Sequence, residues 1–319
     1  MRTLFFVSVI TSLVVPVKGQ NLVRTYYDSL HTVLKEEYQI IGQDSSMIHG
    51  PYMKLHDNGT PAVTGQFDKG MKYGEFKEFY ADSSILRITT FSEGKRHGAV
   101  RAYANNGTLV QTANFQRDTL QGALITYFPD GSPKSKTQFS KGKPDGLIVE
   151  YYQNGNIKSE IIYGQGKPNG ISKKYFPNGK LRSEANYTDG LVNGFFRTYY
   201  DNGQLDTESQ LTLGKKTGIF KTFNKQGQLI LAGSYHDGLL DGENKGYYNN
   251  GAIKHFYRYE KGKRKGTSLQ YHPDGTVSVK GEFLKGKQIG DWKYYNTKGE
   301  LIKRTTYERG KVVEEQELR

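Results

Sequence analysis

Glycine recurs every 24 residues through most of the chain, and this spacing constrains the fold more than any other feature. A second glycine follows nine residues after the first in ten of eleven units, with Ser83 the exception, and a third follows 20 residues after the first, with Asp118 the exception. A fixed period of this length indicates a repeat array. The chain is therefore predicted to contain eleven 24-residue repeats over residues 50–313. The first glycines, which step without insertion or deletion, are Gly50, Gly74, Gly98, Gly122, Gly146, Gly170, Gly194, Gly218, Gly242, Gly266 and Gly290.

The first 19 residues differ from the array and are predicted to be a signal peptide. An apolar stretch over residues 4–15 follows Met1-Arg2 and is shorter than the ~20 residues that a membrane span needs. Val17-Lys18-Gly19 supplies the small or medium residues expected before a cut near Gly19-Gln20. We therefore expect a secreted, periplasmic or cell-envelope protein with no transmembrane segment in its mature chain.

The segments that flank the repeats are predicted to close the array. Residues 20–49 are interpreted as a degenerate N-terminal capping repeat, because Arg24-Thr25-Tyr26-Tyr27-Asp28 duplicates Arg197-Thr198-Tyr199-Tyr200-Asp201. Residues 314–319 are interpreted as an acidic C-terminal tail. Terminal units of repeat proteins are commonly atypical because one of their faces has no neighbour.

Each repeat has the sequence of a β-hairpin. Asn-Gly or Asp-Gly stands at the second glycine in most units, as in Pro177-Asn178-Gly179, and this dipeptide between strand-forming segments predicts a tight two-residue turn. The turn at the third glycine, as in residues 189–194, is predicted to be longer. The fold class is therefore all-β: an elongated, single-layer, twisted antiparallel sheet of tandem hairpins. A thin sheet has no thick core, which suits a chain that is only 35% hydrophobic and has no cysteine.

The register of these hairpins predicts which residues lie opposite each other. Lys173 should face Glu184, and Arg197 should face Glu208. Each first glycine should face a ring or, in one unit, Leu211, and the ring should cover the glycine. One face should therefore be an apolar spine, and the other a polar, basic surface with tyrosines. On that second face a cation is expected directly across from a ring in four pairs: Tyr127 with Lys134, Tyr151 with Lys158, Tyr175 with Arg182, and Tyr247 with Lys254.

The recurring pattern Gly-x-x-x-x-Tyr-x-x-Asn-Gly-x-Leu-x-x-x-x-x-Tyr-x-x-Gly resembles the bacterial variant of the MORN repeat, over residues 50–313. The resemblance implies an extended single-layer sheet used as a scaffold or binding surface, sometimes proposed to contact phospholipids. Some bacterial relatives have an antitoxin-like label, which implies a cognate toxin as partner. The signal peptide and the 24-residue step, against a commoner spacing near 23, are departures from the pattern.

No catalytic, cofactor-binding or metal-binding residue is predicted, and the chain is expected not to be an enzyme. The seven histidines occupy scattered repeat positions without metal-ligand spacing. Glu160, Glu184 and Glu208 recur at one repeat position, about 9–10 Å apart across two strand spacings. That separation touches the upper end of the range for inverting glycosidases, but the open face and basic partners favour a solvated row of charges.

Basic residues around the third glycine are the strongest functional candidates. The sequence has a net charge of +13, and many of its lysines fall in these turns, which should emerge along one edge of the sheet. Such a ridge either binds an anionic partner or keeps an open sheet soluble. The candidate binding residues are Lys215, Lys216, Lys261, Lys263, Arg264 and Lys265 at the turns, and Tyr127, Tyr151, Tyr175, Tyr199 and Tyr247 on the tyrosine face.

The sequence thus predicts an exported, non-enzymatic scaffold that binds a protein or an anionic envelope component such as phospholipid or glycan. One alternative is a glycan-binding module whose tyrosines stack on sugar rings. Another is an antitoxin-like partner protein, which requires that the chain is not exported. Nucleic acid is not expected as a partner because of export, and the ligand, oligomeric state and biological process stay open.

Overall fold

In the computed structural model, which describes residues 20–318, the chain consists of antiparallel β-strands joined by short turns. No helix occurs among these residues, so none of the described segments is a helix that could cross a bilayer. The described residues divide into two compact units, one up to residue 131 and one from residue 132, which are described separately. The predicted all-β class of antiparallel hairpin repeats is confirmed, whereas the predicted signal peptide lies outside the described residues.

Each strand of the first unit pairs antiparallel with the strand before it, except that the short β9 and β10 both pair with β8. Gln121 separates β9 from β10 where most repeats have one continuous strand. The strands are β1 (Gln20–Tyr26), β2 (Leu34–Ile41), β3 (Ile48–Leu55), β4 (Pro61–Asp68), β5 (Met71–Phe79), β6 (Ile85–Ser92), β7 (Lys95–Tyr103), β8 (Leu109–Gln116), β9 (Thr119–Leu120) and β10 (Gly122–Tyr127).

The second unit repeats the same plan. Here Lys265 interrupts a strand, so β22 and β23 both pair with β21. The strands are β11 (Pro133–Ser140), β12 (Lys143–Tyr151), β13 (Ile157–Gly164), β14 (Lys167–Tyr175), β15 (Leu181–Thr188), β16 (Leu191–Tyr199), β17 (Leu205–Thr212), β18 (Lys215–Phe223), β19 (Leu229–His236), β20 (Leu239–Tyr247), β21 (Ile253–Glu260), β22 (Lys263–Arg264), β23 (Gly266–Tyr271), β24 (Val277–Leu284), β25 (Lys287–Tyr295), β26 (Leu301–Glu308) and β27 (Lys311–Glu317).

The two kinds of turn are the reverse of the sequence prediction. The tight turn is at the third glycine, where two central residues such as Lys261 (φ 47°) and Gly262 (φ 77°) both have positive φ, as a type I′ turn requires. At the second glycine the connection has three residues. Gly155 is left-handed (φ 84°), but Asn154 is not; its side-chain oxygen instead accepts a hydrogen bond from the amide of Asn156 at 3.1 Å. The asparagine is therefore selected for this side-chain bond rather than for positive φ.

This longer turn adds a bulge and changes one predicted set of neighbours. The pairs Lys173 with Glu184 and Arg197 with Glu208 are confirmed, because they lie before the bulge. The bulge shifts the last residue of the strand, and the prediction that these tyrosines face a cation is wrong for three pairs. Their Cα partners are apolar: Tyr151 with Ile157, Tyr175 with Leu181, and Tyr247 with Ile253.

The first glycine pairs with the predicted residue in ten of the eleven repeats, but the ring does not fill the space beside it. Gly170 pairs with Tyr187 and has a φ of 113° at an irregularity in the strand. The nearest atoms to the position of a Cβ on Gly170 belong to Ile162, 3.4 Å away. The glycine is required by its positive φ, so ring coverage is not its role.

Rings do cover glycines elsewhere on the same face. The aromatic ring of Phe76 lies against Gly65, and the indole of Trp292 lies against Gly281, so closely that a Cβ on either glycine would overlap the ring. Phe76 and Trp292 are almost fully buried and make edge-to-face contacts with neighbouring rings. The predicted apolar face is thus built from rings that pack over small residues in adjacent strands.

Side chains link the three-residue turns of neighbouring repeats. The hydroxyl of Tyr200 donates to the carbonyl of Phe223 at 2.8 Å, and His272 Nε2 contacts the carbonyl of Tyr295 at 3.0 Å. The same bond, 23 residues along the chain, is made by Tyr80, Tyr152 and Tyr248. The tyrosine that follows the strand in these four repeats is therefore a structural link, which the sequence prediction did not identify.

The segments predicted as caps form strands. Residues 20–41 fold as the hairpin of β1 and β2, with Arg24 paired to Glu37 at 2.7 Å. At the other end the acidic residues 314–317 belong to β27, which pairs with β26. Lys303 contacts Glu315 at 2.7 Å and Glu317 at 3.1 Å. Whether these segments act as caps stays a prediction.

Candidate binding surfaces

Three successive type I′ turns in the second unit carry two cations each. The first turn residue and the residue after the glycine are both basic, and all six side chains belong to exposed residues. Successive turns are tied by backbone bonds, from the amide of Gly286 to Arg264 O and from the amide of Gly310 to Gln288 O, both 2.9 Å. We call this surface the basic turn edge: Lys261, Lys263, Lys285, Lys287, Arg309 and Lys311.

The basic turn edge has few carboxylates to neutralise it. Across the strand pairs, Glu260 lies opposite Lys263, and Glu308 lies opposite Lys311. Glu260 accepts a hydrogen bond from Lys265 Nζ at 2.9 Å. This bond is the main reason why the pKa of the Glu260 carboxyl is lowered. Within the described part of the chain, none of the six cations of the edge has an ion pair within 4.0 Å. The edge thus presents a local excess of positive charge.

The central turns of the second unit offer a contrast, because they have the same backbone and fewer cations, with Lys167 and Lys215 each following a turn glycine. Asp189 and Asp237 occupy the first turn position in two of them. Leu191, Leu213 and Leu239 stand at turn or post-turn positions with 49%, 62% and 50% exposure. Positive charge is therefore not needed to form the turn. Paired turn cations occur once at Lys141 and Lys143, and on three successive turns only at residues 261–311 among the described residues of this unit.

The predicted basic residues do not all lie free at this edge. Lys215, Lys261 and Lys263 stand at the turns, whereas Lys265 is paired with Glu260. Lys216 Nζ lies 5.1 Å from the centre of the Tyr235 ring. The sequence grouped these five lysines as one set of binding candidates, whereas in the structure Lys216 and Lys265 contact other side chains.

Arg264 belongs to the aromatic face. Its guanidinium carbon lies 4.0 Å from the ring centre of Tyr257 and 5.2 Å from that of Phe283, and its Nε donates to the Tyr259 hydroxyl at 3.1 Å. Tyr257 also stacks on His255 with ring centres 4.5 Å apart. Burial, followed by the charge of Arg264, lowers the pKa of His255. Arg264 is therefore a packing residue rather than a free cation.

The predicted tyrosines are half-buried, and two of them are bonded to carboxylates. The Tyr175 hydroxyl donates to Glu160 at 2.6 Å, and the Tyr199 hydroxyl donates to Glu184 at 2.8 Å. Burial and these carboxylates raise the pKa of both phenols to about 12. In the first unit Tyr127 lies 3.5 Å from the Thr112 hydroxyl. Tyr151 and Tyr247 occupy the equivalent repeat position in the second unit.

The three glutamates singled out by the sequence belong to a row of alternating charge on the tyrosine face. Six residues on six consecutive strands are direct cross-strand partners, and opposite charges in this arrangement are stabilising. Arg197 joins two of the glutamates, with Nη2 2.7 Å from Glu208 and Nη1 3.4 Å from Glu184. We call the row the charge ladder: Glu160, Lys173, Glu184, Arg197, Glu208 and Lys221.

Histidines play local roles in the described residues. His56 and His272 contact carbonyls of the next repeat, and His255 packs beside Tyr257. Between residues 20 and 318, no group of three or more histidine, aspartate or glutamate side chains is arranged to hold a metal ion.

Tandem hairpins stabilised between neighbours, with charged surfaces on the edge and face, define a repeat scaffold. A family model described as the MORN repeat variant matches residues 144–164 and 168–189. The match and the hairpin sheet confirm the predicted resemblance: residues 144–189 contain two repeats of the MORN variant, within a sheet of tandem hairpins.

Other comparisons add little. No curated protein matches the chain. Among solved structures, it is similar to a chain of a TcdB2-TccC3-Cdc42 crystal structure, with 12% identity and a TM-score of 0.19, over 90% of this chain and 20% of that one. It is also similar to a chain of the Photorhabdus luminescens Tc holotoxin pore, with 13% identity and a TM-score of 0.19, over 91% and 18%. The chain thus spans about a fifth of these solved chains, and such TM-scores carry no argument.

Proposed function

We propose that this chain is an exported, non-catalytic repeat scaffold that binds an anionic macromolecule of the cell envelope through the basic turn edge. The observation that supports this most is the alignment of six exposed cations on three successive turns. Two spacings of about 4.8 Å separate one turn from the next, so the cations form a row with a repeat of about 9.6 Å. An extended polyanion or an acidic protein surface can contact such a row at several points.

The charge distribution also supports binding over solubility as the role of this edge. Lysines placed only for solubility can stand at any of the turns, whereas the central turns of the second unit carry Asp189, Asp237 and exposed leucines. A local row of like charges raises the nearby concentration of an oppositely charged partner, and this attraction is screened by salt. We therefore expect binding that weakens strongly between low and physiological ionic strength.

The test is capture from envelope extracts by the tagged full chain and by a variant with Lys263→Glu, Lys287→Glu and Lys311→Glu. We expect the unmodified chain to retain a partner at low salt and to release it at high salt. The variant should retain none, because its three substitutions cancel the two positive charges of every turn in the row.

A matched control carries three lysine-to-glutamate substitutions on the opposite edge, at Lys180, Lys225 and Lys298, and changes the net charge by the same amount. It should bind the partner as the unmodified chain does. Equal loss in both variants would show that net charge alone drives capture. Retention by the turn-edge variant would refute the proposed surface.

Export is tested separately by cell fractionation with N-terminal sequencing. The proposal predicts an envelope or external product that begins near Gln20. A cytoplasmic product that retains Met1 would instead support the antitoxin-like hypothesis. The glycan hypothesis predicts that Tyr151→Ala and Tyr247→Ala weaken capture more than the turn-edge substitutions do.

A further inference from the structure

Beyond the charge ladder, toward the C-terminus, the repeat position of its glutamates is occupied by cations. The repeat position occupied by Glu160, Glu184 and Glu208 is occupied 72 and 96 residues after Glu208 by Lys280 and Arg304. The cross-strand position that faces it, which is lysine or arginine in the charge ladder, is again basic at Lys293. Alternating charge therefore gives way to three cations in a row.

The register places these cations directly opposite one another. Lys280 on β24 is the Cα partner of Lys293 on β25, and Lys293 is the partner of Arg304 on β26. Like charges directly across a sheet destabilise it, and a glutamate at position 280 would remove this repulsion, as glutamate does at three earlier repeats. The cations therefore occupy a position where three earlier repeats show a better electrostatic solution.

The neighbouring carboxylates only partly compensate. Asp291 accepts a hydrogen bond from the Thr306 hydroxyl at 2.8 Å and lies 3.7 Å from Arg304 Nε. That Nε is buried and has no hydrogen-bond partner among the described residues. Glu282 lies two residues beyond Lys280, on the same face of β24. Within the described chain, neither Lys280 nor Lys293 has an ion pair within 4.0 Å.

We propose that Lys280, Lys293 and Arg304 form a binding site for a tetrahedral oxyanion of the phosphate or sulfate type. A shallow pocket of about 250 Å³ lies beside two of the cations, with Lys280, Lys293, Asp291, Glu282 and Tyr295 in its lining. Arg304 is not part of that lining and approaches from the next strand, where it is the Cα partner of Lys293. Directly opposed residues have Cβ atoms about 4.5–5.5 Å apart, so their flexible side chains can converge on one anion. The bound charge relieves the repulsion among the three cations.

This site is separate from the basic turn edge. It lies midway along β24, β25 and β26, on the face opposite Trp292, whereas the turn edge lies where these strands end. The oxyanion can be free or part of a larger molecule, since the three cations recognise the same group in either case.

The test measures the melting midpoint of the full chain during titration with inorganic phosphate, against chloride at equal ionic strength. Phosphate should raise the midpoint of the unmodified chain. Lys280→Glu should raise the midpoint in chloride, because it restores alternating charge, and should weaken phosphate binding at least about tenfold, the effect of losing one charged hydrogen bond. Lys293→Gln should weaken phosphate binding similarly.

The ladder provides the matched control: Lys173→Gln should leave the phosphate response unchanged. A short polyphosphate chain tested beside inorganic phosphate separates the two sources, because a free ion site responds to both and a polymer site responds only to the chain. The turn-edge variant should keep either response, so this proposal and the proposed function can fail independently. An unaltered phosphate response in Lys280→Glu and Lys293→Gln, or a lower midpoint of Lys280→Glu in chloride, overturns the proposal.

Discussion

Removing the guanidinium at the centre of the charge ladder should loosen the sheet locally. Arg197 is 36% exposed at its side chain and makes three kinds of contact: to Glu208 through Nε and Nη2, to Glu184 through Nη1, and to the Phe195 ring 4.9 Å away. Arg197→Met keeps much of the aliphatic stem and removes all three. Both glutamates then retain only a lysine as cross-strand partner, Lys173 or Lys221.

Each exposed ion pair contributes about 0.2–1 kcal/mol, and a cation over a ring contributes about 0.5–1 kcal/mol at exposed sites. The loss is therefore about 1–2 kcal/mol, or roughly a 5–30-fold change in the local opening equilibrium. Repeat arrays open locally, so amide hydrogen exchange is a better assay than a single global transition. Peptides that cover residues 195–209 should exchange faster by that factor, and the difference should shrink in 1 M salt.

Two controls define the result. Arg197→Lys keeps one charge and should lose less than Arg197→Met. Lys225→Met removes an exposed pair with Asp201, whose side chains are 60% and 64% exposed, and should change exchange little. The reasoning is refuted if Arg197→Met and Lys225→Met have the same effect, or if the effect of Arg197→Met is unchanged by salt.

Three further outcomes follow from the packing. Gly281→Ala should reduce stability by about 1–3 kcal/mol because a methyl group there displaces the Trp292 ring, as indole fluorescence during urea unfolding will report. Tyr200→Phe removes the bond to Phe223 O and should cost about 0.5–1.5 kcal/mol, measured as faster exchange at that turn. The lowered pKa of His255 means that its contribution to stability is present above pH 6.5 and is lost as the pH falls toward its folded value. His255→Phe should therefore flatten the decrease in melting midpoint between pH 7 and pH 5.

The sequence was sufficient for the repeat and its strands, because each glycine reports a backbone requirement and the period is unbroken. It was insufficient for the type of turn. Asn-Gly occurs both in two-residue type I′ turns and in three-residue turns. Which turn forms depends on whether the asparagine side chain accepts a hydrogen bond from the amide two residues later, as Asn154 does from Asn156. The resulting bulge shifts the cross-strand partner of Tyr151, Tyr175 and Tyr247 by one residue.

The candidate surfaces were predicted in part. Turn lysines were recognisable because their positions repeat, but the ring contacts of Arg264 depend on three rings from two repeat positions and two successive repeats. The cations at Lys280, Lys293 and Arg304 were visible as a replacement of glutamate at a fixed repeat position. Their significance required the cross-strand register, which shows that they face one another rather than separate carboxylates.

The central claim is that a partner occupies the basic turn edge in the cell. Its most direct test is a photo-crosslinking amino acid placed at Lys285 on that edge and, in a separate strain, at Lys298 on the opposite edge of the same unit. We expect a discrete cross-linked product from position 285 and none from position 298. Cross-linking at position 298 alone, or equal cross-linking at both positions, would contradict it.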